Sequence, residues 1–504
     1  MTSLPALLIQ FALAGVLLTW LTIRADRAKS VLMSFLQHFT GVWFIFSGLV
    51  KALDPIGTAY KMEDYFVQFE DTFAGLNNVF SGLAPLFPAL LKSANGFSIL
   101  MIVLEIVLGL MLILGWRRKL TAWLFFLIVV FFTFLTGFTF LTGYVPSGAN
   151  FFDFKQWGPF VKTQMRVTDC GCFGDFIKLD PRISFFKDVF LMIPAFLFLF
   201  RSRYMHELWN ARQRNLWIGA SSALSFVFCI YNTYLNLPVL DFRPFKIGTD
   251  IRERKAIEEE ARGNVQVIGW LLENEKTGEK TTFMEPEPGK ITYYKTYAKS
   301  DGWRVTEQIK TDPYIERDGK LIPVSETKIS DFAIEDREAG DITDELLENK
   351  GFTLMIIAYK LKGDLARETI AVQDTVWASD TIRIGKDSLS VQRRIADVKT
   401  RSTEREIFVP DPGYEQYFLQ KINPLAKEAK QANWRVFAVA ATPDYDKVPA
   451  FAQRIQADYP FHTADDKLLK TIIRANPGVV MLKDGKVLKM YHHRHLPKFA
   501  DLPR

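Results

Sequence analysis

Six long apolar runs constrain this chain more than any other feature of its sequence. Each approaches the roughly 20 residues that a helix needs to cross the hydrocarbon core of a bilayer. All six lie before Asp241, and the rest of the 504-residue chain is polar and charged. The sequence therefore predicts an α-helical membrane bundle of about six helices, followed by a water-exposed half. The runs are Leu4–Ile23, Val31–Leu53, Phe97–Trp116, Leu120–Thr142, Ser184–Phe200 and Leu216–Leu237.

The charges between these runs predict how the bundle is oriented. No basic residue precedes the first run and several follow it, which is the reverse of a secretory signal, so we interpret it as a transmembrane helix. Because cytoplasmic loops carry an excess of lysine and arginine, the loops after runs one, three and five are predicted to be cytoplasmic. Residues 54–95, residues 143–183 and everything after about residue 238 then lie outside. The basic loop residues are Arg24, Arg27, Lys29, Arg117, Arg118, Lys119, Arg201, Arg203, Arg212 and Arg214.

The first outer loop carries a helical pattern of its own. Between Tyr60 and Phe80, apolar residues recur at intervals of three and four and are mixed with acidic residues. This spacing places the apolar side chains on one face of a helix. We expect an amphipathic helix that lies on the outer interface or against the bundle.

The second outer loop contains Asp169-Cys170-Gly171-Cys172-Phe173-Gly174-Asp175, which holds two of the three cysteines of the chain. Two thiols one glycine apart can close a small, strained disulfide, and strain raises its reduction potential. An oxidising outer space favours that disulfide over the dithiol at rest. Three interpretations stay open: a redox-active pair, a tight structural turn or staple flanked by Asp169 and Asp175, and a metal site. The metal site is the weakest, because two ligands fall short of the four that zinc takes.

Polar side chains within predicted spans are costly and mark functional positions by default. Glu105 lies near the middle of the third run, where a carboxyl group is either protonated or paired. It is a candidate proton relay, and a single interhelical hydrogen bond explains it equally well. His38 in the second run is a candidate ligand, although a lone histidine among apolar residues is more often a packed hydrogen-bonding group.

Two further polar residues, Lys51 and Asp54, lie at the outer end of the second run. Lys51 is close enough to the interface for its ammonium group to extend into water. Cys229 in the sixth run is most simply a small buried hydrophobic residue. Lys51 and Asp54 therefore join His38 as polar membrane positions without an assigned reaction.

Several segments of the membrane half resemble the DoxX/MauE superfamily of small membrane proteins. The resemblance covers residues 31–245, and the whole chain resembles a fused version found in Bacteroidetes that carries an extracytoplasmic tail. The segments are Ser47–Gly57, Glu105–Gly109, and Cys170–Asp175 ahead of a helix with Lys187-Asp188.

The resemblance implies a four-helix core, with residues 1–30 as an extra helix and the sixth helix as the tether to the tail. It implies a bacterial inner membrane, with the C-terminal domain in the periplasm. Family members are associated with quinone-linked sulfur oxidation or with maturation of periplasmic disulfide proteins. Cys170 and Cys172 would then be the redox pair, Glu105 a proton-linked group, and a quinone the electron acceptor.

Residues 246–328 are predicted to form a β-rich extracytoplasmic segment. Short runs of β-forming residues alternate there with turn residues such as those from Glu275 to Gly278. No residue pattern in this segment indicates chemistry. The predicted strands are Val265–Leu272, Ile291–Tyr297 and Trp303–Gln308.

Residues 329–504 show the order of elements of a thioredoxin fold, which this α/β domain resembles. The first strand is a continuous apolar run, and Asp484-Gly485 is a strong hairpin signal. Pro477, preceded by Asn476, matches the cis-proline of that family. The predicted elements are the strand Thr353–Ala358, a helix at about Tyr414–Ala432, the strand Arg435–Ala441, a helix at Asp466–Arg474 and a hairpin from about 479 to 488.

One departure separates this domain from a thioredoxin. No cysteine follows Cys229, so the CxxC pair is missing, and residues 361–413 form a long polar insertion. The domain therefore cannot exchange dithiols by itself, and the resemblance implies a recognition module whose groove near Asn476 and Pro477 binds an extended client or partner. His492-His493-Arg494-His495 lacks cysteine or carboxylate partners at metal-ligand spacing, so we assign no metal.

The leading hypothesis is a membrane thiol–disulfide redox protein whose Cys170–Cys172 pair passes electrons to a quinone or another membrane acceptor while the tail binds the client. The alternative is a non-enzymatic assembly subunit that docks envelope proteins. A third hypothesis is a transporter that uses Glu105 and His38 as a polar path. A net charge of only +6, without a long basic run, makes a nucleic-acid partner unexpected.

Overall fold

The computed structural model describes residues 4–76, 78–146, 148–158, 160–167, 170–384 and 388–503. Six helices in these ranges are long and apolar enough to cross a membrane, which confirms the predicted spans and makes the chain a multi-pass membrane protein. The predicted turn residue Asp169 lies outside the described residues. The six spans are Leu4–Arg24, Val31–Leu53, Ala94–Leu114, Arg118–Tyr144, Pro181–Tyr204 and Ala211–Leu235.

Local sequence sets several of the helix ends in the membrane half. Asp180 caps the seventh helix, which begins with Pro181, a residue suited to the first helical position. Asn210 and Gln213 form a capping box at the start of the eighth. The helices are α1 (Leu4–Arg24), α2 (Val31–Leu53), α3 (Pro55–Ala74), α4 (Leu86–Lys92), α5 (Ala94–Leu114), α6 (Arg118–Leu141), α7 (Pro181–Arg201) and α8 (Ala211–Ile230).

Glycines allow α2 and α5 to approach each other closely. A Cβ atom built on Gly109 of α5 would lie 2.6 Å from the carbonyl oxygen of Gly41 in α2 and 2.8 Å from the backbone nitrogen of Ile45. A Cβ atom on Gly48 would lie 2.6 Å from Ile106 Cγ1. Small residues at such crossings are a common way to pack membrane helices. This close packing positions the polar side chains that α2 and α5 direct at each other.

The amphipathic helix predicted in the first loop is α3, and it lies against the bundle. The apolar face of α3, which includes Tyr65, Phe66 and Phe69, is buried. The hydroxyl of Tyr65 lies 2.6 Å from Thr139 Oγ1 in α6, and the ring of Phe66 packs edge-on against Phe97 of α5. The helix therefore adds a wall to the end of the bundle that carries the cysteine loop.

Residues 250–330 contain one α-helix, α9 (Ile251–Gly263), and five strands. β1 is central in a three-stranded antiparallel sheet, between β2 and β3, and β4 pairs with β5. Two of the predicted strands are confirmed as β1 and β3. The strand predicted at Ile291–Tyr297 is wrong, because the Glu285 carboxylate accepts hydrogen bonds from the backbone N–H groups of Thr292 and Tyr293 and holds a turn there. The strands are β1 (Val267–Asn274), β2 (Lys280–Met284), β3 (Trp303–Lys310), β4 (Tyr314–Arg317) and β5 (Lys320–Pro323).

The chain divides into two compact units. Residues 1–249 and 253–330 form the first unit, and residues 250–252 and 331–504 form the second. The β-rich segment therefore belongs to the same unit as the membrane helices.

The second unit contains a seven-stranded sheet in the order β14-β13-β8-β11-β12-β6-β7. β8, β11 and β12 run parallel, whereas β13 is antiparallel to β8 and β14 is antiparallel to β13. β8 and β11 are buried at every position after the first, as expected for mostly apolar strands in the middle of a sheet. The elements are β6 (Glu335–Asp336), β7 (Gly340–Asp341), α10 (Thr343–Leu347), β8 (Phe352–Ala358), β9 (Gly363–Ile384), β10 (Ser388–Pro410), α11 (Pro412–Tyr417), α12 (Asn423–Gln431), β11 (Arg435–Ala441), α13 (Val448–Arg454), β12 (Phe461–Ala464), α14 (Asp466–Ile472), β13 (Gly478–Lys483) and β14 (Lys486–His492).

The polar insertion predicted at residues 361–413 is a long hairpin of β9 and β10. The two strands pair with each other along their whole length, from Gly363 opposite Pro410 to Ile384 opposite Ser388. Much of the described surface of this ribbon is exposed. An alternating pattern marks a strand only where one face is buried, and the insertion lacks such a pattern for this reason.

Candidate functional site

The turn of Cys170, Gly171 and Cys172 is anchored on the bundle by its neighbours. The hydroxyl of Ser47 in α2 donates a hydrogen bond of 3.0 Å to the carbonyl oxygen of Cys172. The next residue, Phe173, is only 1 % exposed and inserts among the buried side chains of the bundle. Both cysteines are partly buried. The loop thus holds its two sulfur-bearing residues at a fixed place on the end of the bundle.

Glycine is required at position 171 for two reasons. Its φ angle is +62°, in the left-handed region that other residues rarely adopt. A Cβ atom built there would also lie 3.1 Å from Lys61 Cγ of α3. The backbone N–H of Gly174 donates to the carbonyl oxygen of Gly171 at 3.1 Å and closes the turn. The single glycine between the cysteines therefore sets the path of the chain.

A small cavity lies against this turn, and both cysteines form part of its wall. Its volume is about 50 Å³, enough for a few water molecules, since one needs roughly 10–15 Å³ of such space. The Thr58 hydroxyl on this wall is buried and has no hydrogen-bond partner among the described residues. Buried polar groups in folded proteins are normally paired, so the wall suits a small polar occupant. The charged side chains on the wall are Lys51, Lys61, Glu105, Lys187 and Asp188.

The first ion pair on the wall joins Lys51 of α2 to Glu105 of α5. The Lys51 ammonium lies 2.7 Å from one carboxylate oxygen of Glu105 and 3.0 Å from the other. Both residues are buried, at 7 % and 3 % exposure, and the ammonium also lies 4.9 Å from the centre of the Phe132 ring. The interpretation that Lys51 extends into water is therefore wrong. Glu105 is paired, as expected for a carboxyl group in the middle of a span.

A second buried ion pair, between Lys187 and Asp188, lies in the N-terminal half of α7. The two side chains form a salt bridge, and Asp188 is almost fully buried. The hydroxyl of Thr136 in α6 donates to the other oxygen of Asp188 at 3.0 Å. Sequence reasoning missed both residues as site residues, although two adjacent charges inside a predicted span were a usable signal.

The other polar membrane residues lie apart from the cavity wall. Asp54 caps α3 by accepting a hydrogen bond of 2.9 Å from the backbone N–H of Gly57. His38 is fully buried, lies 3.0 Å from the Thr19 hydroxyl, and stacks on His206 with 4.5 Å between ring centres. It is a packed hydrogen-bonding group. Thirteen residues separate it from Lys51 in α2, which corresponds to about 20 Å along a helix.

Cys229, the third cysteine of the chain, lies in α8 and is fully buried. It packs in an apolar cluster with Ala52, Ile99 and Ile106, as expected for a small hydrophobic residue. It does not belong to the cavity wall. Cys229 therefore provides a matched control for experiments on the two loop cysteines.

In the second unit, the Asn476–Pro477 peptide bond is cis and immediately precedes β13. The Asn476 side chain donates to the carbonyl oxygen of Lys360 at 2.6 Å and accepts from the Tyr414 hydroxyl at 3.2 Å. The Pro477 carbonyl oxygen lies 2.9 Å from His493 Nδ1. These groups bind their own chain, so a client at this groove would have to be held by other atoms.

The histidines near the C-terminus stack on one another. The rings of His492 and His493 lie 4.1 Å apart, and burial lowers the pKa of His492 to about 3 and that of His493 to about 4. Both imidazoles are therefore neutral at pH 7. Within the ranges that the structure describes, no group of three or more histidine, cysteine or acidic side chains is arranged to hold a metal ion.

Comparison with known proteins gives no functional assignment for this chain, so an assignment rests on its own residues. No family model, no curated protein and no solved structure matches this sequence.

Proposed function

We propose that this membrane protein exchanges disulfides with extracytoplasmic protein thiols through Cys170 and Cys172. The observation that carries the proposal is the position of the Cys-Gly-Cys turn, which forms the wall of a cavity together with two buried ammonium–carboxylate pairs. Taking ions out of water costs several kcal/mol each unless their geometry compensates. We infer that these charges serve the chemistry of the cysteine pair, because the reactive form of cysteine is the thiolate anion and a nearby lysine favours it.

The proposed exchange consumes a client dithiol. A client thiolate attacks the sulfur of Cys170 in the Cys170–Cys172 disulfide, a client–Cys170 disulfide forms, and Cys172 leaves as a thiolate with the electron pair of the broken bond. The second client thiolate attacks the client sulfur of this mixed disulfide and expels Cys170 as a thiolate. The client has then lost two electrons and two protons, and the cysteine pair has gained them. The reverse sequence reduces a client disulfide.

A quinone-type acceptor does not fit the cavity as the structure has it. The cavity volume of about 50 Å³ is a third of the roughly 150 Å³ of an engineered protein cavity that binds benzene. A six-membered ring therefore exceeds the space beside the cysteines. We derive no electron-transfer step through a quinone, and the exchange above needs only the client thiols.

The proposed location is a bacterial inner membrane with the cysteine loop and the tail in the periplasm. Support comes from the lysines and arginines of the three alternate loops and from the resemblance to the DoxX/MauE superfamily. An oxidising compartment is also where a protein disulfide persists.

The second unit is proposed to be a thioredoxin-like recognition module. Its central strands run in the order β14-β13-β8-β11, with β8 and β11 parallel and a proline-preceded hairpin on the other side of β8. This order and the cis bond at Pro477 support the resemblance. The unit contains no cysteine, so thiol chemistry falls to Cys170 and Cys172, and the unit would bind the client or a partner.

A non-enzymatic assembly subunit is the second candidate function, and the β9–β10 hairpin favours it. The ribbon has no third strand in the described part of the chain. A two-stranded hairpin by itself is marginally stable in water, so a ribbon of this length benefits from a docking partner. In this role the Cys-Gly-Cys turn would only tie the loop, and replacing either cysteine would leave the function intact.

A trapping experiment separates the two functions. With Cys172 replaced by serine, the reverse sequence stops half-way: Cys170 attacks a client disulfide and forms the mixed disulfide, but the thiol that would attack Cys170 and release the client is missing. We therefore expect client adducts on non-reducing gels of membranes. The adducts should be absent from the Cys170→Ser/Cys172→Ser double variant and unchanged in yield when the buried Cys229 is replaced by serine. Adducts that persist in the double variant, or their absence from Cys172→Ser, would contradict disulfide exchange and favour the assembly role.

A further inference from the structure

The two cysteines of the turn face different surroundings. Cys172 packs against the apolar core of the bundle, and Ser47 holds its carbonyl oxygen. On the cavity wall it is accompanied by Lys187 of α7. Cys170 lines the same wall. The turn therefore has an inner thiol, Cys172, beside a buried cation.

Side chains from three helices hold the Lys187 ammonium at this place. Asp188 accepts one of its hydrogen bonds, and Thr136 of α6 donates to the other carboxylate oxygen of Asp188 at 3.0 Å. The ammonium lies 5.9 Å from the centre of the Trp43 ring of α2. An ammonium group has three N–H donors, so the bond to Asp188 leaves donors for a second anion.

An anion next to this ammonium arises during disulfide exchange. When Cys170 is attacked, the electron pair of the broken bond leaves on the partner sulfur. A leaving thiol with a lower pKa leaves faster, and a nearby lysine stabilises the thiolate. We propose that Lys187 is the group that stabilises Cys172 as the leaving thiolate, and that the pair is asymmetric for this reason. The inference rests on the proposed disulfide exchange.

Other charged groups around the cavity set the direction of each expected change. α2 and α5 contribute Lys51 and Glu105, which neutralise each other, and α3 contributes Lys61. α7 contributes Asp188 next to Lys187 itself, and the described part of α6 adds no charge to the wall. Asp188 opposes Lys187, because its carboxylate both attracts the ammonium and repels a thiolate. Removing the charge of Lys187 should therefore raise the pH midpoint at which Cys172 titrates, and removing the charge of Asp188 should lower it.

The test measures alkylation of Cys172 by iodoacetamide as a function of pH in the purified full chain in detergent. Cys170→Ser and Cys229→Ala are included so that Cys172 is the remaining thiol. We expect Lys187→Gln to raise the pH midpoint by about one unit, which slows alkylation at pH 7 about tenfold. Lys187→Arg should keep the midpoint of the parent, and Asp188→Asn should lower it. A role of Lys187 in packing alone would leave the midpoint unchanged in Lys187→Gln as well as in Lys187→Arg.

A second comparison keeps the test decisive if Lys187→Gln does not fold. Lys187→Gln leaves the Asp188 carboxylate buried without its partner, so the double variant Lys187→Gln/Asp188→Asn is compared with Asp188→Asn alone. A higher midpoint in the double variant supports the inference, and equal midpoints overturn it. Client trapping on Cys170 is measured separately, in the Cys172→Ser protein. If no client is trapped although Lys187→Gln shifts the midpoint, the proposed function is contradicted. If clients are trapped but Lys187→Gln does not shift the midpoint, only the role of Lys187 is contradicted.

Discussion

Replacing Lys51 by methionine is expected to lower the free energy of unfolding of the bundle by about 3–5 kcal/mol, because it leaves the buried Glu105 carboxylate without its partner. The two side chains make two charge-assisted hydrogen bonds within 3.0 Å, and both are almost completely removed from solvent. Methionine matches the length and volume of the lysine stem, so little of the effect comes from packing. Chemical unfolding of the purified protein in detergent measures the change.

Two controls separate the ion pair from the substitution itself. Lys29→Met removes a lysine that is 3.8 Å from Glu207 with its side chain 42 % exposed, and exposed pairs of this kind contribute only about 0–1 kcal/mol. Lys51→Met/Glu105→Leu removes both charges and should regain most of the stability lost by the single variant. A Lys51→Met protein as stable as Lys29→Met, or a double variant as unstable as the single one, would contradict the assigned pair.

Gly109→Ala is expected to destabilise the bundle by about 1–3 kcal/mol, the range for overpacking a tight core. The added methyl group would lie 2.6 Å from the carbonyl oxygen of Gly41 and 2.8 Å from the backbone nitrogen of Ile45. Both atoms are backbone, so α2 as a whole must move away from α5. Because Lys51 and Glu105 meet across the same two helices, the separation also weakens their hydrogen bonds.

Gly96 provides the matched control in the same helix. A Cβ atom built on Gly96 meets no other atom within 4 Å, and alanine is favoured over glycine inside a helix by roughly 0.5–1 kcal/mol. Gly96→Ala should therefore be neutral or stabilising under the same unfolding conditions. Equal effects of the two substitutions would show that α2 and α5 do not depend on the glycine contact.

The parts of the fold that the sequence predicted well are those with a strong local signal. The six spans and α3 are defined by the spacing of apolar residues along one helix, which depends on no distant part of the chain. β11 and the β13–β14 hairpin were predictable for the same reason, from a continuous apolar run and from Asp484-Gly485. Predicted and observed ends differ by a few residues where caps such as Asp180 extend a helix.

The candidate site depended on contacts between distant residues, which spacing along the chain does not reveal. Lys51 and Glu105 were both recognised as polar residues in spans, but their pairing follows from the close approach of α2 and α5. Lys187 was named only as part of the family resemblance, because its place on the same cavity wall as Cys172 depends on the fold of the cysteine loop. The hydrogen bonds of Asn476 to Lys360 and from Tyr414 likewise link residues 116 and 62 positions apart.

The most direct test of the proposed exchange is a redox titration of Cys170 and Cys172 in native membranes. Membranes are equilibrated with dithiol buffers of graded potential, and the thiols are then labelled with a reagent that shifts the protein on a gel. Structural disulfides typically have reduction potentials below about −300 mV. A cysteine pair that oxidises client thiols to such disulfides must itself have a higher reduction potential. We expect the Cys170–Cys172 disulfide to be half-reduced well above −300 mV. A disulfide that stays intact in strong reductant, or two thiols that stay reduced in oxidised membranes, would contradict disulfide exchange.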